Sequence, residues 1–376
     1  MVSEKEKNPA AWVPEYIRTI QPYVPGKPIE ELERELGIKD SIKIASNENP
    51  LGPSPKGIAA IKKALLDLHR YPDGNGTLLK DKLAKKMGVK PDNIILGNGS
   101  NEVLELLAAT FMFPGHEGIM SEHSFVVYSL AVDSRGHKKK VAKPTEFFGH
   151  HLMEMAEHIN DRTRIIFIAN PNNPTGTYVN KKEFEEFLKK VPERVLVVMD
   201  EAYFEFVDKK DYPDSLEYFK AGHKNVVPVR TFSKIFGLAG LRLGYGVAEE
   251  EIVSFVNRVR QPFNTNSLAQ VAALAALDDS EHIKKTRQNN SRGMKYLEKE
   301  FKRLELDFIP SVANFILFKT AADAGKVYQL LLRKGVIVRP MGGYKLPEWL
   351  RVTIGTPAEN QRFIKALTEV VGELGG

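Results

Sequence analysis

The chain has 376 residues, of which 42% are hydrophobic and 27% charged, so it can bury a sizeable core and is neither disordered nor fibrous. Cysteine is absent, which excludes disulfides, thiolate metal ligands and a cysteine nucleophile. The net charge of +6 is spread along the chain, and its densest patch, 138–140, predicts a solvated face rather than a nucleic-acid site. The nine histidines show no metal-ligand spacing, so we expect no metal.

The N-terminal region is predicted to be an arm. Residues 1–45 contain several prolines and show no strong strand pattern, so we expect them to lie against another part of the protein and to contribute to a smaller domain. Residues 1–7 mix charges without the apolar core of a signal peptide, and no apolar run approaches the roughly 20 residues of a membrane span. These features favour a cytoplasmic protein with no membrane partner.

Short apolar runs alternate with amphipathic stretches through residues 46–262, the predicted large domain. The runs, which are rich in β-branched residues, are predicted to be buried strands, and the amphipathic stretches, such as 100–109 and 181–190, helices. The predicted strands are 93–97, 164–169, 195–200 and 225–230. Continuous apolar runs are typical of parallel strands that are covered on both faces. The sequence therefore predicts an α/β fold.

Polar or small residues follow each of these strands. The four segments are 97–101, 170–176, 200–203 and 231–245. Ligands of parallel sheets bind beyond the carboxyl ends of the strands, so we expect the four segments to meet at one rim and to form a site there.

The segment 231–245 surrounds one amine with hydroxyls, glycines and an arginine. Lys234 is a candidate for a Schiff base with a phosphorylated aldehyde, because nearby positive charge or desolvation frees the lone pair of a lysine. Thr231, Ser233 and Arg242 offer the donors that a phosphate requires, and the glycines let the backbone approach closely. A solvated surface lysine is the alternative for an isolated Ser-Lys pair, but these surroundings favour the site.

Three other strand ends fit such a cofactor. Ser100 opens a helix after a glycine-rich turn, where backbone N–H groups and the hydroxyl can bind an anion. Asp200 ends an apolar strand, and a buried carboxylate requires a positive partner. A protonated ring nitrogen would be such a partner, with a helix cap or a local salt bridge as the alternative. Asn170 stands directly at a strand end, in a turn that its prolines explain structurally.

The C-terminal part of the chain, residues 263–376, changes character. Long helical patterns at 268–277 and 281–304 are followed by short strands at 314–318 and 336–339. This order predicts a smaller α+β domain.

Together these motifs resemble the fold-type I aminotransferases that use pyridoxal 5′-phosphate. The patterns Asn-Pro-x-x-Pro-Thr-Gly and Asp-x-x-Tyr and the lysine segment occur in the family's order, and the resemblance covers nearly the whole chain. It implies a mostly parallel seven-stranded sheet between helices. It also implies that Lys234 carries the cofactor, that Asp200 pairs with the pyridinium, and that Asn170 and Tyr203 contact the phenolic oxygen.

The same resemblance implies how the rest of the cofactor is held. Its ring would stack on Phe125, where many members have tyrosine. The residues expected to hold its phosphate are Ser100, Asn101, Thr231, Ser233 and Arg242.

The flanking segments 46–52, 70–73, 261–264 and 349–355 resemble the subfamily that acts on histidinol phosphate. By that resemblance, Arg351 would clamp the substrate α-carboxylate, and Arg339 and Tyr23 would bind the substrate's own phosphate. Tyr71 would reach the cofactor phosphate of a partner chain, which implies a homodimer. The reaction would transfer an amino group from L-histidinol phosphate to 2-oxoglutarate in histidine biosynthesis, giving imidazole-acetol phosphate and L-glutamate.

Other activities stay open at this point. An aromatic amino-acid aminotransferase or a decarboxylase of a phosphorylated amino acid would use the same cofactor, because the positions of Arg339 and Tyr23 can also receive a carboxylate or an aromatic ring. For Arg339 a surface ion pair is a further alternative. A catalytically silent cofactor-binding regulator is disfavoured, since the chain before residue 47 is too short and too proline-rich for a helix-turn-helix.

Overall fold

The computed structural model describes residues 8–375. The charged residues 1–7, which carried the argument against a signal peptide, lie outside the described residues. The strands are β1 Ile42–Lys43, β2 Ile94–Gly97, β3 Glu117–Ser121, β4 Lys138–Ala142, β5 Thr163–Ala169, β6 Leu196–Asp200, β7 Val226–Thr231, β8 Gly244–Val247, β9 Phe308–Ile309, β10 Phe315–Lys319, β11 Val336–Ile337, β12 Arg339–Pro340 and β13 Trp349–Thr353.

Helices precede, separate and follow these strands. They are α1 Glu15–Arg18, α2 Ile29–Leu36, α3 Pro55–Ala64, α4 Thr77–Met87, α5 Ser100–Phe111, α6 Val126–Asp133, α7 Leu152–Glu157, α8 Lys181–Leu188, α9 Ser215–Lys220, α10 Glu250–Val259, α11 Ser267–Ala276, α12 Ser280–Arg303, α13 Ala324–Arg333 and α14 Pro357–Gly375. None of the helices within residues 8–375 is both long enough and apolar enough to cross a membrane.

The main sheet has seven strands in the order β2-β8-β7-β6-β5-β3-β4. The neighbours from β7 to β4 run parallel, whereas β8 is antiparallel to both β2 and β7. The predicted α/β fold with a mostly parallel seven-stranded sheet is thus confirmed. The edge strand β4 begins with the lysines of the patch 138–140, and charged side chains on an edge oppose pairing with another sheet.

Both faces of this sheet are buried, which explains the continuous apolar runs. Along β5, Ile165 and Phe167 pack into one core with α5 and α6, while Ile166 and Ile168 pack into another with α7 and α8. Because successive side chains of a strand point to opposite faces, each strand must be apolar throughout.

The C-terminal part contains a four-stranded antiparallel sheet in the order β12-β13-β10-β9. The arm packs against this C-terminal part, because β1 pairs with β11 in a separate two-stranded sheet and Ile44 lies in the same core as α12, α13 and α14. The structure corrects one predicted boundary: α11, which the sequence places after 262 in the small domain, buries Ala269 and Ala273 in the core of the large sheet. Small side chains let α11 approach α3 closely. A Cβ atom on Gly57 of α3 would lie only 3.3 Å from the backbone oxygen of Ala272.

Candidate active site

A cavity of about 400 Å³ opens at the carboxyl ends of β5, β6 and β7. The first turn of α5, the arm and the small antiparallel sheet also contribute to its wall. Most of the residues predicted for the site line it: Tyr23, Ser100, Asn101, Phe125, Asp200, Tyr203, Thr231, Ser233, Lys234, Arg242, Arg339 and Arg351. The structure therefore brings together side chains that are up to 328 positions apart in the sequence, from Tyr23 to Arg351.

Lys234 follows β7, and its Nζ donates to the carbonyl of Ser46 at 3.3 Å. Burial lowers the pKa of this amine to about 8, and the positive charges of Arg351 and Arg242 act in the same direction. The amine also lies 5.7 Å from the ring centroid of Tyr203. A lysine with a pKa near neutrality is a substantial nucleophile and base, which is the property that Schiff-base chemistry requires.

Donors for an anion converge between α5 and the segment after β7. Ser100 begins α5, so the free backbone N–H groups of the first turn face the cavity. The Thr231 hydroxyl donates to Ser233 Oγ at 3.0 Å, and Arg242 stands beside Gly99. A Cβ on Gly99, whose φ is +80°, would lie 2.7 Å from Arg242 Nη2.

The approach of β8 to this helix depends on a second glycine. A Cβ on Gly244 would lie 2.2 Å from the backbone nitrogen of Ser100, much closer than such atoms can come. Glycine at 244 therefore lets the first turn of α5 lie directly against β8.

Asp200, the last residue of β6, is 5% exposed. Burial raises its pKa to about 6, while a hydrogen bond from the Tyr128 hydroxyl to Oδ2 (2.8 Å) opposes that rise. Oδ1 accepts the backbone N–H of Ala202 at 3.3 Å. The carboxylate thus borders the cavity with two donors behind it.

A buried ion network lies behind this rim. Arg230 contacts Glu201 at 2.8 Å and Asp214 at 2.7 Å, and its guanidinium stacks on the Phe204 ring at 3.7 Å. Glu201, which follows Asp200, is fully buried. The network ties the ends of β6 and β7 together.

The Tyr203 hydroxyl accepts a hydrogen bond from Asn47 Nδ2 at 2.9 Å, and burial raises the pKa of this phenol to about 12. The hydroxyl therefore stays protonated and can donate into the cavity. Asn47 is held in turn by Thr353, whose Oγ1 accepts the Asn47 backbone N–H at 2.9 Å.

Asn170 directly follows the last residue of β5, as the sequence predicts, but its side chain does not line the cavity, so the structure does not support the expected contact with the phenolic oxygen. Its amide group is fully buried, accepting from the backbone N–H of Val179 at 3.0 Å and donating to the Val179 carbonyl at 3.4 Å. Asn173, three residues later in the same turn, lines the cavity instead and accepts a hydrogen bond from Arg351 Nη1. Of the three asparagines in this turn, the third and not the first faces the site.

Arg351 lies on β13 and is 6% exposed. Its Nη2 donates to the Ala45 carbonyl at 2.9 Å, and its guanidinium lies 5.1 Å from the Phe315 ring centroid. Burial lowers its pKa. Its Nε has no partner among residues 8–375, although it is buried, so an anion in the cavity could still gain a donor there.

Arg339 and Tyr23 form a second cationic corner. The guanidinium of Arg339 lies 5.3 Å from the Tyr23 ring centroid and donates through Nη2 to the Val24 carbonyl at 2.7 Å. Tyr71 does not line the cavity of its own chain. It is 83% exposed and stacks on Phe263 with the ring centroids 4.8 Å apart.

The cavity fits pyridoxal phosphate by the chemistry of its donors. The four cations that line it, Lys234, Arg242, Arg339 and Arg351, form no ion pair with any acidic residue that the structure describes. Arg351 is buried, Lys234 and Arg339 are partly buried and Arg242 is exposed. Four cations without an acidic partner around one cavity favour an anionic ligand, most strongly at the buried Arg351. A phosphate fits between Ser100, Thr231, Ser233 and Arg242, an aldehyde at Lys234, and a cationic ring nitrogen at Asp200. No group of three or more potential metal ligands occurs within residues 8–375.

Three site residues were missed from the sequence. Tyr128 lies inside a helix, Asn47 in the arm-proximal segment, and Asn173 in a turn with three asparagines. The motif 46–52 did signal Asn47, but nothing in it indicated contact with Tyr203. For Tyr128 no signal distinguished the residue from an ordinary core aromatic.

The fold and this site define a class of enzyme, the aminotransferases. Residues 39–367 match the family model described as aminotransferase class I and II, and the chain belongs to this family. It is 51% identical over 369 residues to the histidinol-phosphate aminotransferase of Moorella thermoacetica, covering 97% of this chain and 95% of that one. With the protein of the same name from Caldicellulosiruptor saccharolyticus it shares 49% identity over 357 residues, covering 95% and 99% of the two chains.

Solved structures agree with these relatives. Histidinol-phosphate aminotransferase from Sinorhizobium meliloti, in complex with pyridoxal-5′-phosphate, has a TM-score of 0.87 at 26% identity and covers 96% of this chain and 97% of that one. The enzyme of the same name from Clostridium acetobutylicum has a TM-score of 0.82 at 26% identity, covering 88% and 99%.

Proposed function

We propose that this chain is a pyridoxal-phosphate-dependent histidinol-phosphate aminotransferase, which exchanges the amino group of L-histidinol phosphate with 2-oxoglutarate in histidine biosynthesis. The observation that carries the proposal is the arrangement of cations: Arg351 and Arg339 line the same cavity as Lys234, in addition to the cluster around Arg242. A cavity with two separate anion-binding regions fits a phosphorylated substrate beside a phosphorylated cofactor. The names of relatives at about half identity support the same assignment.

The residues that line the cavity have separate roles in the proposed reaction. Bound pyridoxal phosphate supplies an aldehyde and a ring that withdraws electrons from the substrate's α-carbon. Lys234 Nζ, with its pKa lowered to about 8, would accept the α-proton of the substrate and deliver it to the former aldehyde carbon of the cofactor. Asp200 would hold a proton on the ring nitrogen, and the Tyr203 hydroxyl and the Asn173 amide, which also line the cavity, would bind the ring's phenolic oxygen.

Arg351 serves two substrates in this proposal. L-Histidinol phosphate has a phosphate ester in place of an α-carboxylate, whereas 2-oxoglutarate carries two carboxylates. Arginine presents a planar fork that accepts either oxyanion. Arg339, beside Tyr23 at the outer part of the cavity, adds a second charge for the phosphate of the donor.

A homodimer is part of the proposal. Tyr71 and nearby apolar side chains are exposed in the single chain, with Leu66 88% and Leu68 54% exposed, and contiguous exposed apolar surface is typical of protein interfaces. In the dimer Tyr71 contacts the cofactor phosphate of the partner subunit.

A cytoplasmic location stays a prediction from composition.

Single-turnover rates test the substrate. The protein reconstituted with pyridoxal phosphate is mixed with histidinol phosphate, histidine, phenylalanine, tyrosine or a phosphorylated amino acid, and the conversion of the cofactor is followed by absorbance. We expect histidinol phosphate to react fastest at low concentration. A preference for phenylalanine would favour the aromatic aminotransferase instead, and release of carbon dioxide from a phosphorylated amino acid would favour the decarboxylase.

A further inference from the structure

The Tyr128 hydroxyl donates to Asp200 Oδ2 at 2.8 Å, and both side chains are buried. Tyr128 lies on α6 and is fully buried, and Asp200 is 5% exposed. Such a bond holds the carboxylate in one rotamer, because a buried charged oxygen that loses its donor has no water to replace it.

Aromatic neighbours fix the ring of Tyr128. It stacks on Phe167 of β5 with the centroids 5.0 Å apart and an interplanar angle of 3°. Phe125, at the start of α6, contacts it edge-on at 5.9 Å. An aromatic side chain has only two rotatable bonds, so this packing leaves the hydroxyl little freedom to leave Asp200.

The protonation states suit a permanent donor. Burial and the negative charge of Asp200 raise the pKa of the Tyr128 phenol well above its usual value, so the hydroxyl keeps its proton. The other titratable groups that face this pair are Lys234, Tyr203 and Tyr344. Of these groups only Lys234 carries a positive charge, and its effect on Asp200 is smaller than that of the Tyr128 hydrogen bond.

We propose that Tyr128 is a positioning residue for Asp200. The Tyr128 hydroxyl keeps the Asp200 carboxylate ionised and turned toward the ring nitrogen of the cofactor. This inference rests on the proposed use of pyridoxal phosphate. It adds a residue that acts through another: Tyr128 holds one carboxylate oxygen of Asp200, and Asp200 would pair with the cofactor.

Tyr128→Phe tests the proposal, because phenylalanine keeps the packing on Phe167 and removes only the hydroxyl. Tyr218→Phe is the matched control, since the Tyr218 hydroxyl donates to Glu185 at 3.2 Å on the outer helix α8. We expect Tyr128→Phe to weaken binding of pyridoxal phosphate by about tenfold, the effect of one hydrogen bond to a charged group, and Tyr218→Phe to leave binding unchanged. Equilibrium dialysis gives the dissociation constants.

Two readouts separate positioning from a loss of general stability. The first is an analogue of pyridoxal phosphate that has carbon in place of the ring nitrogen. The wild type and Tyr128→Phe should bind this analogue equally, because it offers Asp200 no nitrogen. The second is the pH midpoint of the bound cofactor's absorption change, which should move to higher pH in Tyr128→Phe, since a less protonated ring withdraws fewer electrons from the linkage to Lys234.

An equal loss of affinity for the cofactor and for the carbon analogue would overturn the proposal, as would an unchanged absorption midpoint. If Tyr128→Phe does not fold, 3-fluorotyrosine at position 128 replaces it: the stronger donor should move the midpoint to lower pH, and no movement would be contrary evidence. Failure of the wild type to bind pyridoxal phosphate at all would contradict the proposed function itself, which distinguishes the two cases.

Discussion

Asn47 donates a hydrogen bond to the Tyr203 hydroxyl at 2.9 Å, although 156 positions separate the two residues. Asn47 follows the arm, and Tyr203 follows the end of β6. Thr353 of β13 completes the link, since its hydroxyl donates to Asn47 Oδ1 at 3.2 Å. The arm, the large sheet and the small sheet therefore meet at one buried amide.

Replacing Asn47 should reduce stability in two separable ways. The residue has a φ of 55°, a conformation that asparagine and glycine tolerate better than alanine. Asn47→Gly should cost about 1–3 kcal/mol for the lost buried hydrogen bonds, and Asn47→Ala about 1 kcal/mol more for the backbone. Urea unfolding of the cofactor-free protein measures both. Equal stability of the two variants would show that the backbone conformation carries no cost.

The amine of Lys234 should titrate near pH 8 in the cofactor-free protein. Burial, Arg351 and Arg242 lower its pKa, so the neutral, nucleophilic form predominates above about pH 8 and disappears as the pH falls below it. The rate of reductive methylation at this residue, followed by mass spectrometry, should therefore rise about fivefold from pH 7 to pH 8 and little above pH 9. Exposed Lys299 provides the control for the pH dependence of the methylation reaction itself. Parallel profiles for the two lysines would contradict the shift.

Replacing Arg339 should impair one half-reaction, whereas replacing Arg351 should impair both. Arg339→Ala should raise the KM for histidinol phosphate about 100-fold and change the KM for 2-oxoglutarate little, because only the donor carries a phosphate. Arg351→Lys should impair both half-reactions, since lysine cannot reproduce the fork that contacts Ala45 and Asn173. Stopped-flow absorbance resolves the two halves. Exposed Arg333→Lys, on the outer end of α13, should match the wild type.

Complementation between two inactive variants should test the shared site. In the proposed homodimer, Tyr71→Ala would lack the contact to the cofactor phosphate of the partner subunit, and Lys234→Ala would lack the amine. In a mixed dimer one site receives Lys234 from one chain and Tyr71 from the other. Random pairing makes half of the dimers mixed, each with one of two sites intact, so about one quarter of the wild-type activity should return. Activity no greater than the sum of the separate variants would contradict a shared site.

The Arg230 network should be sensitive to loss of its cation. Arg230→Met leaves the fully buried Glu201 without its partner, which should reduce the free energy of unfolding by about 3–5 kcal/mol. Arg230→Met combined with Glu201→Gln should recover part of this loss, because no buried charge is left unpaired at that position. Thermal and urea unfolding give both values. A double variant less stable than the single one would show that the glutamate is not the source of the cost.

The sequence predicts the sheet well, because strands covered on both faces must be apolar throughout. The predicted strands 164–169, 195–200 and 225–230 correspond to β5, β6 and β7 within a residue. The short β8, rich in glycine, gave no such signal, and its antiparallel course follows from tertiary packing. Helix α11 was assigned to the wrong unit because its alanines are equally compatible with either core.

The site was less predictable wherever a side chain's direction mattered. Proline and glycine mark the turn 170–176, but which asparagine faces the cavity depends on the hydrogen bonds between Asn170 and Val179. The contact between Tyr128 and Asp200 depends on how α6 packs against β5 and β6, which no local pattern encodes. Residues at strand ends were found, whereas those that support them from helices were not.

Gly99 and Gly244 contribute to the anion site by the atoms they lack. A conventional alanine scan measures what is lost when a side chain is shortened, and it treats glycines as silent positions. Here enlarging position 244 by one methyl group would push the first turn of α5 away from β8. The shape of this binding surface thus depends partly on the absence of side chains at these two positions, and substitutions that add volume are needed to measure their contribution.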